Sequence, residues 1–122
     1  MAKSILVVDD TPDLLESIRE FLVMEGYQVA TAVNGQDGLS KLEGMTPDLI
    51  ITDLLMPVMD GFTFIEHVKE NKKLAQIPII IFSAKPQKEN APRAEALGIK
   101  RFIIKPSPLE DLLQSVEELV HP

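Results

Sequence analysis

Short apolar runs alternate along this chain with longer stretches in which apolar residues recur at helical spacing. Ile5-Leu6-Val7-Val8, Leu49-Ile50-Ile51, Ile79-Ile80-Ile81-Phe82 and Phe102-Ile103-Ile104 are continuous and rich in β-branched residues. Runs of this length and composition predict strands buried on both faces. Residues 27–32 form a more polar run, which predicts an edge strand. Between the runs, Leu14, Leu15, Ile18, Phe21 and Leu22 fall on one helical stripe. Leu109, Leu112, Leu113, Val116, Leu119 and Val120 fall on another. Stripes at this period are core-facing sides of helices and are given no functional role.

Helix boundaries are marked by their residue types. Thr11 before Pro12 reads as an N-cap followed by proline at the first helical position. Asn34 and Asp60 precede glycines at two further starts, and Ser107-Pro108-Leu109-Glu110 has the spacing of a capping box. Gly26, Gly44 and Gly98 stand where helices should end. Pro86 and Pro92 interrupt the fourth helical stretch. They predict a loop over about residues 84–89 and a short helix capped by Asn90. Strand and helix thus alternate five times, without repeat, linker or low-complexity tract. That alternation predicts an α/β fold: a doubly wound, parallel, five-stranded sheet with helices on both faces. Right-handed crossovers narrow the choice to strand order 2-1-3-4-5, the flavodoxin-like arrangement. Residues 1–122 are expected to form a single domain.

Composition removes several kinds of chemistry. The absence of cysteine excludes disulfides, thiol catalysis and cysteine-based zinc sites. His67 and His121 are the only histidines, which argues against a multi-histidine metal site. No apolar run approaches the ~20 residues of a membrane helix, and the N-terminus lacks a signal-peptide layout. A cytoplasmic protein is expected. The formal charge of −7 opposes a standing affinity for nucleic acid or anionic membrane. The plainer reading of this acidity is solubility.

In an open α/β sheet, ligands bind beyond the carboxyl ends of the strands. Asp9 and Asp10 follow the first predicted strand, Asp53 ends the third, Ser83 ends the fourth and Lys105 follows the fifth. Each alone has an ordinary reading: a capping pair, turn residues, a solvated charge. Their convergence on one edge favours a functional reading. Three converging carboxylates repel one another, and a hard divalent cation with oxygen ligands removes that cost. Mg²⁺ suits one or two carboxylates with a carbonyl, waters and a phosphoryl oxygen. Such a site serves phosphoryl transfer, in which a carboxylate can be the nucleophile. Lys105 and Ser83 would then address phosphoryl oxygens, and the small Ala84 leaves room for the group to enter.

The motifs Val7-Val8-Asp9-Asp10, Asp53-Leu54-Leu55-Met56-Pro57-Val58-Met59-Asp60-Gly61, Phe82-Ser83-Ala84 and Ile104-Lys105-Pro106 resemble, in this order, those of bacterial response regulator receiver domains. The resemblance covers essentially the whole chain. It implies that Asp53 accepts a phosphoryl group from a sensor histidine kinase or a phosphotransfer protein. It also implies Mg²⁺ (with Mn²⁺ as a substitute) held by Asp10, Asp53 and the Leu55 carbonyl, with Asp9 acting through water. Lys105 and Ser83 would read the phosphoryl oxygens, and the Lys105–Pro106 bond would be cis. Ser83 and Phe102 would form the switch that alters the surface of the fourth and fifth helices and the fifth strand. The resemblance implies a signalling phosphoacceptor rather than an enzyme with an external substrate, monomeric or dimerising through that surface when phosphorylated.

Departures from the family pattern bear on kinetics. Leu55 stands where many relatives have a polar residue or methionine, and an apolar side chain cannot orient an attacking water. Slow self-dephosphorylation is expected. Lys85 stands where an acid or asparagine is common, and it would either attract the phosphoryl group or block the water. Phe102 is equally well read as a half-buried strand residue. Lys100-Arg101 fits an acidic partner or a solvated strand end.

Three other readings compete. A receiver-like module signalling without phosphate would lack one of the acidic pair, Asp53 or Lys105, and all are present. An aspartyl-phosphate hydrolase commonly has an acid two residues after its nucleophile, where Leu55 stands. A flavin carrier needs a phosphate-cradling loop after the first strand, and Asp9-Asp10-Thr11-Pro12 would repel phosphate.

Overall fold

The computed structural model describes residues 2–121. Strand and helix alternate as β1 (Ser4–Val8), α1 (Pro12–Met24), β2 (Gln28–Ala32), α2 (Gly35–Leu42), β3 (Leu49–Thr52), α3 (Gly61–Glu70), β4 (Ile79–Ser83), α4 (Gln87–Ala96), β5 (Arg101–Ile104) and α5 (Leu109–Val120). All strand pairs are parallel and the sheet order is β2-β1-β3-β4-β5. This is the expected topology.

Alternate residues of the central strands point to opposite faces. Leu6, Val8, Ile50, Ile79 and Ile81 meet Phe62, Phe64, Ile65 and Val68 of α3 and Leu42 of α2. Ile5, Val7, Leu49, Ile51, Ile80 and Phe82 meet Leu15, Ile18 and Leu22 of α1 and Leu112, Val116 and Val120 of α5. Burying each such side chain contributes about 1.5–3 kcal/mol. The two helical stripes read from the sequence are therefore core faces. Among the described residues, no helix is long and apolar enough to cross a membrane.

The fifth strand departs from expectation. Arg101 and Ile104 are exposed, and Phe102 and Ile103 only half-buried. β5 is the sheet's second edge, with β4 as its one neighbour. The helix beside it, α4, contributes only Ala94 to the fully buried core among the described residues. A fully apolar run thus sits where one face is thinly covered.

Asn34 and Asp60 cap as read: their Oδ1 atoms accept the amides of Asp37 and Thr63, each at 2.8 Å. Thr11 has the extended backbone of a cap but no capping side-chain bond. Its own amide instead donates to Asp9 Oδ1 at 2.9 Å. The capping box at Ser107 does not form. The helix starts at Leu109, one residue late for the serine, whose hydroxyl donates to Asp111 Oδ2 at 3.3 Å. The fourth helix begins at Gln87 rather than after Asn90. Asn90 is not a cap; its amide donates to the Pro86 carbonyl at 2.7 Å. Pro92 is accommodated inside the helix. It forgoes the amide bond one turn back, and its helix neighbours Asn90 and Ala91 are only half-buried.

The β3–α3 connection is tightly constrained. Val58 has φ 70°, and the Met59 amide reaches the Pro57 carbonyl at 2.7 Å, a three-residue turn with a β-branched residue at its centre. Gly61 then brings α3 hard against the end of β3. A Cβ there would lie 2.1 Å from the Asp53 carbonyl oxygen and 2.7 Å from Leu54 Cα. Gly61→Ala should therefore destabilise the fold by about 2–3 kcal/mol, read from urea denaturation. A change within about 0.5 kcal/mol would contradict this account of the packing.

Candidate functional site

Because all strands run the same way, their C-terminal ends share one edge. Asp9 and Asp10 follow β1 directly, Asp53 follows β3, Ser83 is the last residue of β4 and Lys105 follows β5. Hydrogen bonds beyond the strands fix these backbones. The Asp9 amide donates to Ala32 and the Asp53 amide to Val8, both at 3.0 Å; the Lys105 amide donates to Ser83 at 2.9 Å. The site is thus an extension of the sheet ladder rather than a flexible loop cluster.

The side chains converge as the sequence pattern indicates. Lys105 Nζ lies 2.7 Å from Asp9 Oδ2 and 3.0 Å from Asp53 Oδ2. It also stands 5.4 Å from the centre of the Phe82 ring. Asp9 is 2% exposed and Asp53 7%. The other oxygen of each carboxylate is also satisfied. Asp53 Oδ1 accepts the amides of Leu54 at 2.7 Å and Leu55 at 3.3 Å, and Asp9 Oδ1 accepts that of Thr11. Burial, the largest influence on Lys105, would lower its pKa. Its hydrogen bonds and charge interactions with Asp9 and Asp53 outweigh that, and the net shift is upward from 10.5.

Asp10 is exposed. Ligand oxygens of Asp9, Asp10 and Asp53 all lie within 4.8 Å of one another. With one ammonium against three carboxylates, the edge retains excess negative charge. The donors are hard oxygens, one buried pair and one reachable from solvent. This set fits a small divalent cation that keeps part of its water.

Asp10, Asp53, Leu55, Ser83, Lys85 and Lys105 line one open cleft, together with Thr11, Ala84 and Pro86. Leu55 is 66% exposed at its mouth. Ser83 is fully buried; its Oγ accepts the Lys85 amide at 3.3 Å and makes no bond to Asp53 or Lys105 among the described residues. The Lys105–Pro106 peptide bond is cis. Phe102 lies outside the cleft. It packs half-buried against the α2/α3 side of the core and borders a groove along α4. Thr52 and Gly61 touch the Asp53 backbone; Gly61 closes the Asp53–Gly61 motif but its close packing is not legible there, and Thr52 does not stand out in the sequence at all. A threonine in a strand and a glycine after an N-cap both have commonplace readings.

The sequence model of the "Response regulator receiver domain" family matches residues 5–117. The chain is 39% identical over 119 residues to the chemotaxis protein CheY of Treponema pallidum, covering 95% of this chain and 81% of that protein. It is 36% identical over 116 residues to the sensor histidine kinase TmoS of Ectopseudomonas mendocina, covering 95% of this chain but 12% of the kinase. Among solved structures, it superposes with TM-score 0.84 on the response regulator TrrA of Thermotoga maritima in complex with Mg²⁺-BeF. There the identity is 32%, covering 96% of this chain and 98% of that one.

Removing the ammonium should expose the carboxylate repulsion it relieves. Lys105→Met should lose about 3–5 kcal/mol of stability at neutral pH without divalent ions. The lysine's folded pKa lies above its unfolded value of 10.5, so its contribution is complete below that pH. The gap between wild type and variant in denaturant melts should stay constant from neutral pH up to about 10.5. It should narrow only as pH rises through the folded pKa. A gap already closing near neutral pH would contradict the assignment.

Proposed function

The chain belongs to the response regulator receiver family, whose members are phosphoacceptors of two-component signalling, and from that membership we propose that Asp53 is the acceptor. The observation that carries the assignment is the Lys105 ammonium shared between Asp53 and the buried Asp9. An ammonium at that point stands where a phosphoryl group arriving on Asp53 places its oxygens. The family match supports reading residues 1–122 as one receiver domain.

In the proposed reaction an Asp53 carboxylate oxygen attacks the phosphorus of a phosphohistidine. The P–N bond breaks as the P–O bond forms, and the donor imidazole leaves. Two amides orient the carboxylate from its Oδ1 side, which pre-organises it for attack. Lys105 transfers part of its interaction from Asp9 and Asp53 to the incoming oxygens. The Ser83 hydroxyl oxygen takes an amide, and its proton, which has no acceptor among the described residues, can donate to another. Asp10, Asp53 and the Leu55 carbonyl would hold Mg²⁺ directly and Asp9 through water. When bound, the ion neutralises charge on the phosphoryl oxygens, and Mn²⁺ would substitute.

The donor would be a sensor histidine kinase or phosphotransfer protein. The downstream target binds the surface of α4, β5 and α5, which changes when Ser83 engages the phosphoryl group and Phe102 repacks. The monomer would dimerise, if at all, through that same surface. Direct binding to nucleic acid or membrane forms no part of this reading, nor does turnover of an external substrate. Exposed Leu55 at the cleft mouth offers no hydrogen bond to an attacking water. The aspartyl-phosphate should therefore be long-lived.

Incubation with acetyl phosphate and Mg²⁺ should add one phosphoryl group to the intact mass, and Asp53→Asn or omission of the metal should abolish the gain. A gain that survives Asp53→Asn would place the acceptor elsewhere. Decay of the labelled protein should quicken at least several-fold in Leu55→Asn, because an amide can position water; unchanged decay would reject that role for Leu55. Mg²⁺ at about a hundred times its Kd should stabilise the apo protein by ~2.7 kcal/mol, and Asp10→Asn should lose most of that gain. An equal thermal shift in the variant would remove Asp10 from the ligand set.

A further inference from the structure

Thr52 is fully buried at the last position of β3, immediately before Asp53. Its hydroxyl donates to the Asp53 main-chain carbonyl at 2.8 Å. No other hydrogen bond reaches that carbonyl among the described residues. The ladder has ended there: Asp53 donates its amide to Val8, but its carbonyl lies one step past β3. From above, the same oxygen is closed off by Gly61, where a Cβ would stand 2.1 Å away. Water has little room to replace a missing donor in so tight a contact.

This carbonyl belongs to the peptide joining Asp53 to Leu54. The amide of that peptide is the one that donates to Asp53 Oδ1 at 2.7 Å. Rotating the carbonyl therefore rotates the donor that orients the carboxylate, and it displaces the next amide, that of Leu55, at 3.3 Å. We propose that Thr52 is a positioning residue for phosphorylation: its hydroxyl fixes the Asp53–Leu54 peptide plane and, through it, the Asp53 carboxylate. An unpaired buried acceptor is costly, so without the hydroxyl the peptide turns towards another donor. The inference rests on Asp53 being the acceptor.

Two substitution pairs that differ by the hydroxyl separate positioning from packing: Thr52 against Thr52→Val, and Thr52→Ser against Thr52→Ala. Phosphorylation is followed by intact mass with acetyl phosphate and saturating Mg²⁺, and the Leu54 and Leu55 amide resonances are followed by NMR in the apo protein. The hydroxyl-free member of each pair should phosphorylate about tenfold or more slowly, the scale of a small misplacement of a reacting group. Its two amide resonances should move, while Thr52→Ser keeps both near the wild-type positions. If Thr52→Val does not fold, the serine–alanine pair decides alone. Equal rates within each pair, or a serine variant as slow as alanine, would overturn the inference while leaving Asp53 as acceptor. Absence of any mass gain in wild type would instead overturn the assignment of Asp53, and the inference with it.

Discussion

The Lys105 ammonium between Asp9 and Asp53 is the interaction on which this edge of the sheet depends. Parallel topology forces the carboxylates together: β1 and β3 are neighbours, and each is followed directly by an aspartate that the core beneath it buries. Two buried negative charges side by side are unfavourable unless a positive charge stands between them. The lysine comes from β5, with β4 between it and β3. Its long stem bridges that distance, and β4 ends in a small residue, Ser83. The result is a carboxylate oriented by two amides on one oxygen and by the shared ammonium on the other. Excess negative charge, with Asp10 open to solvent, leaves the edge suited to a divalent ion as well.

The two sides of the site differ in rigidity, and the difference fits a switch. Around Asp53 the backbone is pinned by the Val58 turn, the close approach of Gly61 and the Thr52 hydroxyl. Across the sheet, β5 is a half-exposed edge and α4 gives little to the core. Segments with few buried apolar contacts open at low free-energy cost. In the proposed switch, a charge added at Asp53 would bias the lightly held side through Ser83 and Lys85, which are joined by a hydrogen bond across the β4–α4 turn.

Much of this is legible in the sequence, for particular reasons. Alternating apolar runs and stripes place five strands and five helices because burial alone sets those periods. Asp9, Asp10, Asp53, Ser83 and Lys105 can be read because neither packing nor capping requires polar residues at the ends of several apolar strands along one edge. Local chemistry is less reliable where tertiary bonds compete. Thr11 resembles a cap, yet its amide is taken by Asp9. Ser107 has capping-box spacing, but the helix begins at Leu109. Asn90 and Pro92 suggest a late fourth helix, whereas the chain turns helical at Gln87 and absorbs the proline. The apolar composition of the fifth strand hides its edge position, which only the expected strand order indicates. Thr52 is invisible because a β-branched residue is the ordinary occupant of a strand.

Asp53, Lys105 and Ser83 are proposed together to form a metal-dependent receptor for a phosphoryl group. A structure of the protein with Mg²⁺ and beryllofluoride, a phosphoryl mimic, tests it most directly. Beryllium should be bonded to an Asp53 carboxylate oxygen, with Lys105 Nζ and Ser83 Oγ each within hydrogen-bond distance of a fluorine. Failure to form the adduct at saturating metal, or an adduct in which Lys105 keeps both carboxylates and contacts no fluorine, would contradict it.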